Sequence, residues 1–175
     1  QVSIFAFDYR GYGKSAGRPA EIGIVQDGNA AQQWLASRAQ VDLDEIVLWG
    51  RSLGGGLAVQ LAANNGARAM ILERTFTSLP DVATLHYRWL PVRLLMRNRF
   101  DSLERIVQFD GPLLQSHGVD DEIIPIELGR RLFAASPSTQ KDFVAMEGVS
   151  HNAPSSEEYY TELRRFLSKI CRSPN

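Results

Sequence analysis

Five short runs of apolar residues punctuate the chain: Val2 to Phe7, Ile46 to Trp49, Ala69 to Leu72, Pro112 to Gln115 and Phe143 to Met146. Apolar side chains follow one another in these runs with little polar alternation, the pattern of strands covered on both faces. The spacers carry a helical period instead. Ile24, Gly28, Ala31 and Leu35 recur at steps of four, three and four, which puts them on one helix face. Leu57, Leu61 and their alanine neighbours predict a second helix, and Asn65-Gly66 supplies its stop. Near the end Tyr160, Leu163, Phe166, Leu167 and Ile170 outline a third, with Ser155 and Glu158 spaced as a capping box at its start. Alternating strands and helices predict a single α/β domain over residues 1–175, a mainly parallel sheet flanked by helices.

Residues 75–110 break the rhythm, because a βα connection is normally much shorter. The stretch holds Pro80, Pro91, Tyr87 and Trp89, and four arginines (Arg88, Arg93, Arg97, Arg99) with no acid between Leu85 and Phe100. Short helices laid over the sheet as a lid-like insertion are predicted. One reading is an ordinary crossover with solvated arginines. The other is peripheral membrane or acyl-lipid contact through residues 88–99, made by Arg93, Arg97 and Arg99 with Trp89 and Leu90.

Composition narrows the choices. With 175 residues, 44% of them hydrophobic, the chain has material for one domain with a real core. Nineteen Lys and Arg against twenty Asp and Glu give no positive excess for neutralising phosphates, so nucleic acid is not an expected partner. Cys171 is the only cysteine, which excludes an intrachain disulfide and a cysteine metal site. No apolar run has the roughly 18 residues that a spanning helix needs, and no signal-peptide pattern opens the chain. The expectation is a soluble chain, with the cytoplasm favoured. Gln1 leads straight into an apolar run, so the chain reads as the middle of a longer sequence.

The chemistry centres on Gly50-Arg51-Ser52-Leu53-Gly54, a G-x-S-x-G pentapeptide. Chance places such a match in about one chain in twenty of this length, so its flanks decide its value. It follows the Ile46 strand without a gap and opens the helix of Leu57 and Leu61. Such a strand-to-helix turn lifts the serine hydroxyl above the carboxyl end of the sheet, at a helix N-terminus where free N–H groups stabilise negative charge. A serine needs a base and a carboxylate to become a good nucleophile. Of the three histidines, His86 falls in the insertion and His117 ends a strand, where a structural hydrogen bond is its expected role. His151, in the loop between the last strand and the last helix, points to the same end of the sheet as Ser52. The segment after the fourth strand offers Asp120, Asp121 and Glu122 in a row.

Two nucleotide readings compete for Gly11-Tyr12-Gly13-Lys14-Ser15-Ala16. A dinucleotide fingerprint would require a helix to start there, and Gly17-Arg18-Pro19 intervenes. A phosphate loop would need glycine where Asp8 stands, and a carboxylate there repels phosphate.

Taken together, Phe7-Asp8-Tyr9-Arg10-Gly11-Tyr12-Gly13-Lys14-Ser15, the Gly50–Gly54 turn with Gly55, Glu73 to Ser78, and His117-Gly118-x-x-Asp121 resemble the α/β-hydrolase superfamily. The likeness runs from the first residue to the last helix and is nearest the small-lid branch of BEM46-like and ABHD13/ABHD17-like serine hydrolases. It implies Ser52 as nucleophile, His151 as base and Asp121 as acid, in that family's chain order, with Asp120 as the fallback acid. It further implies the backbone N–H of Leu53 as an oxyanion donor, no metal or organic cofactor, and a small-molecule or acyl-lipid ester or thioester as substrate. Amide or peptide substrates fit less well. Tyr12, Phe76 and Asn152 neighbour the implied loops and are candidates to line the acyl site.

The resemblance also implies an incomplete α/β-hydrolase fold, lacking the first three strands and the loop that supplies a second oxyanion N–H. The first apolar run is then expected about 10 Å from the Ile46 strand, twice the normal spacing. Losing one oxyanion donor costs about a hundred- to a thousandfold in rate, so an impaired fragment or a non-catalytic binding module is the alternative expectation.

Overall fold

The apolar runs at Ala69 and Leu113 become the two central strands, every residue of each buried. The computed structural model describes residues 3–172. Strands β1 (Val47–Arg51), β2 (Ala69–Glu73), β3 (Leu113–Gly118) and β4 (Lys141–Met146) form one parallel sheet in the order β1-β2-β3-β4. Register pairs Trp49 with Ile71, Ile71 with Leu114, and Leu114 with Asp142.

Side chains alternate across the sheet and build two cores. Leu48, Met70, Leu72 and Leu113 point to the face covered by α1 (Glu21–Ala39), α2 (Leu53–Asn65) and α6 (Ile126–Ala135). Ala69, Ile71, Leu114, Val144 and Met146 point to the opposite face, where Tyr159, Leu163, Phe166 and Ile170 of α7 (Glu157–Arg172) close over them. α1 lies tight on α2 at Gly28, where a Cβ would stand 2.9 Å from Leu57 Cδ1.

The insertion holds α3 (Leu79–His86), α4 (Val92–Leu95), α5 (Ser102–Arg105) and a 3₁₀ turn over Ile106–Gln108. Ser78 caps α3 by accepting from the Asp81 N–H at 3.1 Å. The second half of the insertion is core rather than cover, since Phe100, Ile106 and Phe109 are buried with α2. Residues 79–99 project.

Three expectations are corrected. The first apolar run is not a buried strand: Val2 lies outside the described residues, residues 3–9 belong to no strand, and Ile4, Phe5 and Phe7 are 79%, 39% and 38% exposed. A strand is stabilised by a hydrogen-bonded neighbour, and residues 3–9 have no strand partner among the described residues. β1 is an edge strand, and an apolar groove of about 430 Å³ separates it from the run, with Phe5, Phe7 and Tyr9 on one wall and Val47, Leu48 and Trp49 on the other. Aromatic contacts hold the run instead, with Phe5 4.7 Å from the Trp34 ring of α1. The turn that follows is fixed to α1 by an Arg10–Asp27 ion pair at 2.6 Å.

In α7 Leu163, Phe166 and Ile170 are buried as the pattern predicts, but its first position is corrected from Tyr160 to Tyr159. Tyr159 is fully buried and Tyr160 is 38% exposed, because the Tyr159 hydroxyl has a buried partner, Glu73, at 2.7 Å. The cap of α7 is Ser156, whose hydroxyl accepts from the Tyr159 N–H at 3.2 Å, and not Ser155. No helix among the described residues is long and apolar enough to cross a membrane.

Candidate active site

Ser52 sits between β1 and α2 with φ 53° and ψ −120°, a backbone conformation that ordinary residues avoid. The neighbours hold it there. Its N–H donates to the Glu73 carbonyl at 2.9 Å, and its carbonyl accepts from the Gly55 N–H at 2.9 Å and the Thr75 hydroxyl at 3.0 Å. The turn demands glycine at position 50, where a Cβ would overlap the Gly54 carbonyl. Leu53 is the first residue of α2, so its N–H has no intrahelical acceptor.

Asp121 lies in the loop that follows β3. Its side chain is fully buried, and Oδ1 accepts from the N–H groups of Ile123 (3.0 Å) and Ile124 (2.8 Å). His117, also fully buried, donates from Nε2 to the Ile124 carbonyl at 2.8 Å and stands 3.4 Å from Asp121 Oδ2. This matches the structural hydrogen bond expected of it. Burial alone pushes the Asp121 carboxyl up; the hydrogen bonds from His117, Ile124 N–H and His151 outweigh it and hold the carboxyl down to about 2. Asp120 is exposed, whereas the Asp121 side chain is buried. Gly118 lets the two loops meet, because a Cβ there would overlap the Val149 carbonyl.

His151 bridges the two elements. Its Nδ1 lies 2.8 Å from Asp121 Oδ2 and its Nε2 3.1 Å from Ser52 Oγ. An ionised carboxylate only accepts, so Nδ1 carries the proton and Nε2 is left to accept from the serine hydroxyl. Ser52, His151 and Asp121, drawn from three loops at the carboxyl end of the sheet, thus form one continuous hydrogen-bonded chain.

Two arginines that the sequence did not single out anchor the His151 loop. Arg74, fully buried and at φ 47°, donates from Nη1 to the carbonyls of His151 (2.8 Å) and Ala153 (2.7 Å) and from Nη2 to the Ser155 hydroxyl (2.9 Å). Arg51 adds a bond to the same His151 carbonyl at 2.5 Å. Burial, with Arg51 close by, lowers the Arg74 guanidinium pKa, while Glu73 and Asp121 oppose that shift. The available signal was an arginine directly after an apolar strand.

The other predicted positions divide. Phe76 is 1% exposed and packs among Gly56 and Phe100, which makes it a core residue rather than a lining one. Tyr12 is 45% exposed and meets Tyr9 edge-on, while Asn152 is exposed beside His151. Gly11 and Gly13 belong to a turn closed by Gly11 N–H to Ser15 O at 3.1 Å, and α1 starts only at Glu21, so no helix opens on them. Among the described residues no three His, Cys, Asp or Glu side chains converge as a metal ligand set.

Comparison with known proteins agrees with this architecture. An uncharacterized protein of Mycobacterium tuberculosis is 41% identical over 173 residues, which cover 97% of this chain and 61% of the relative. Protein bem46 of Schizosaccharomyces pombe is 32% identical, with 96% of this chain and 58% of the relative covered. The chain therefore spans about three fifths of the length of these curated relatives. Among solved structures, the Paleococcus ferrophilus monoacylglycerol lipase superposes with a TM-score of 0.65 at 17% identity, covering 96% of this chain and 83% of that one. Esterases share the same fold. The model of the alpha/beta hydrolase fold family matches residues 1–155, and the chain belongs to that family.

Proposed function

We propose that the chain is a serine hydrolase that cleaves a carboxylic ester or thioester through an acyl-enzyme. His151 Nε2 takes the Ser52 proton as Oγ attacks the acyl carbonyl, and the Leu53 N–H donates to the oxyanion. His151 then gives the proton to the leaving alcohol or thiol, and water repeats the two steps on the acyl-serine. Asp121 stays ionised throughout, fixing the imidazole tautomer and steadying the imidazolium. The observation that carries this reading is the 3.1 Å contact of Ser52 Oγ with a histidine whose other nitrogen is held by a buried carboxylate. The esterases and lipases that share the fold support an acyl substrate.

One observation favours a second reading, an impaired or purely binding form of the same fold. The groove beside the unpaired edge of β1 reaches the turn itself, with Gly54 in its lining. Turnover of a p-nitrophenyl ester, its thioester counterpart and the matching anilide separates the two. The proposal predicts ester and thioester hydrolysis, with the anilide slowest, and loss of roughly 10⁴-fold or more in Ser52→Ala. Equal rates for wild type and Ser52→Ala would leave the binding reading.

A further inference from the structure

Residues 79–99 form an excursion clamped at its base. The Leu79 N–H donates to the Arg99 carbonyl at 2.7 Å, and the Leu103 N–H to the Thr77 carbonyl at 2.9 Å. The excursion leaves from the carboxyl end of β2, the end of the sheet where Ser52 and His151 stand. It touches the loop of Asp121 directly, since His86 Nε2 donates to the Ile123 carbonyl at 2.8 Å and the Ile123 N–H donates to Asp121 Oδ1.

Beyond its base this excursion buries little of its apolar content. Leu85, Tyr87, Trp89, Leu94 and Leu95 are 48%, 52%, 79%, 87% and 63% exposed. A single exposed leucine needs no explanation, but five large apolar side chains within eleven residues do. Two short helices and a turn give these side chains no partner of their own, and in α4 only Val92 is buried.

The charges around them are one-sided. Arg93 pairs with Asp81 at 2.6 Å and Arg99 with Asp101 at 2.9 Å, which removes two of the four arginines from consideration as free cations. Arg88 and Arg97 are exposed and have no ionic or hydrogen-bonded partner among the described residues. No carboxylate lies between Leu85 and Phe100 in the sequence, and Glu21, which reaches the segment from α1, accepts from the Arg99 N–H.

We infer that residues 85–97 are a peripheral docking surface for a bilayer containing anionic phospholipid. Trp89, Leu94 and Leu95 enter the boundary between headgroups and acyl chains, and Arg88 and Arg97 bind phosphates. Tryptophan and tyrosine suit that boundary because each has an apolar body with one polar group, and arginine reaches outward along its own apolar stem. Side chains that project singly by most of their surface suit a yielding lipid layer better than the flat, packed core of a protein interface. The chain as a whole carries a formal charge of −1, so attraction to anionic lipid has to come from this local patch. This inference stands independently of the chemistry proposed at Ser52.

Sedimentation of the 175-residue chain with sucrose-loaded vesicles tests it, comparing phosphatidylcholine alone with a mixture containing about one third phosphatidylserine. The inference predicts strong preference for the anionic vesicles, weakened by added salt. Each arginine near an anionic surface is worth about fivefold in partitioning, so the double variant Arg88→Gln, Arg97→Gln is expected to lose roughly 25-fold. The triple variant Trp89→Ala, Leu94→Ala, Leu95→Ala is expected to stay with the supernatant while keeping the wild-type circular dichroism spectrum. A blue shift of tryptophan emission on anionic vesicles is expected in the wild type and not in Trp89→Phe. Equal sedimentation with both lipids, no sedimentation with either, or a triple variant that binds like the wild type would each overturn the inference. No sedimentation with either lipid would point to a protein partner for the patch, and a triple variant that binds like the wild type would place the lipid contact elsewhere on the chain.

Discussion

Residues 3–7 and strand β2 are apolar runs of similar composition with opposite fates. Ile71 in β2 is wholly buried between β1 and β3, while Ile4 is 79% exposed on the far side of a groove from β1. Apolarity makes a segment suitable for a sheet, but pairing on its edges is what makes it a strand. The same contrast separates the site from its surroundings. Ser52, Asp121 and His151 are each tied by several bonds to β2, β3 or the loops after them, and the region of the groove is held by ring contacts.

The largest effect is expected at the centre of the ordered region. Ile71→Ala leaves a cavity between two sheet neighbours and α7 and is expected to cost about 2–5 kcal/mol in urea unfolding. A loss under about 1 kcal/mol would mean that this side of the sheet is as loose as the other. Next comes Arg74→Met, which takes the charged donor from the Ala153 carbonyl and leaves the His151 carbonyl only its bond from Arg51, and is expected to cost about 3 kcal/mol. Because Arg74 positions His151 without touching substrate, kcat is expected to fall about a hundredfold with KM little changed, and Arg74→Lys to restore part of it. An unchanged kcat in a folded Arg74→Met protein would reduce the arginine to a packing role.

Asp121 supplies a pH-dependent term of intermediate size. Its carboxyl is held at about 2 in the fold against an ordinary value of 3.8, so its contribution is complete above about pH 4 and is lost as pH falls through about 2. The term amounts to about 2 kcal/mol. Urea midpoints measured across that range are expected to drop less steeply in Asp121→Asn than in the wild type; parallel curves would deny the shift. The smallest effect is expected at Phe5. Phe5→Ala is expected to cost under about 1 kcal/mol, and the amides of residues 3–9 to exchange almost unprotected while those of Ile71 and Leu72 exchange slowly.

The parts of the fold that were legible in the sequence are those fixed by local periodicity or by a motif with its own mechanics. The four paired strands, the Asn65-Gly66 helix end and the turn at Ser52 fall in this group, whereas Asp121 stood out from its two acidic neighbours only through the family resemblance. What was not legible depends on tertiary partners. The Val2 to Phe7 run reads as a strand because its pattern carries no information about an absent neighbour. The buried tyrosine of α7 is Tyr159 rather than Tyr160, since only the fold shows that buried Glu73 accepts from both the Tyr159 hydroxyl and Trp49 Nε1. Arg74 was missed because its acceptors lie 77 and 79 residues away. The arginine-rich insertion changed in detail: Arg93 and Arg99 are paired, Leu90 is half-buried, and the exposed apolar residues extend to Leu94 and Leu95.

The central claim is that Ser52, His151 and Asp121 are assembled in this chain as a working nucleophile, base and acid. Intact mass after exposure to a fluorophosphonate tests it most directly, because that probe reacts with a serine only where base and oxyanion site are both formed. One adduct on the wild-type chain, absent from Ser52→Ala, is the predicted result. A wild-type chain that stays unlabelled while a general thiol reagent still finds Cys171, or an adduct that survives Ser52→Ala, would contradict it.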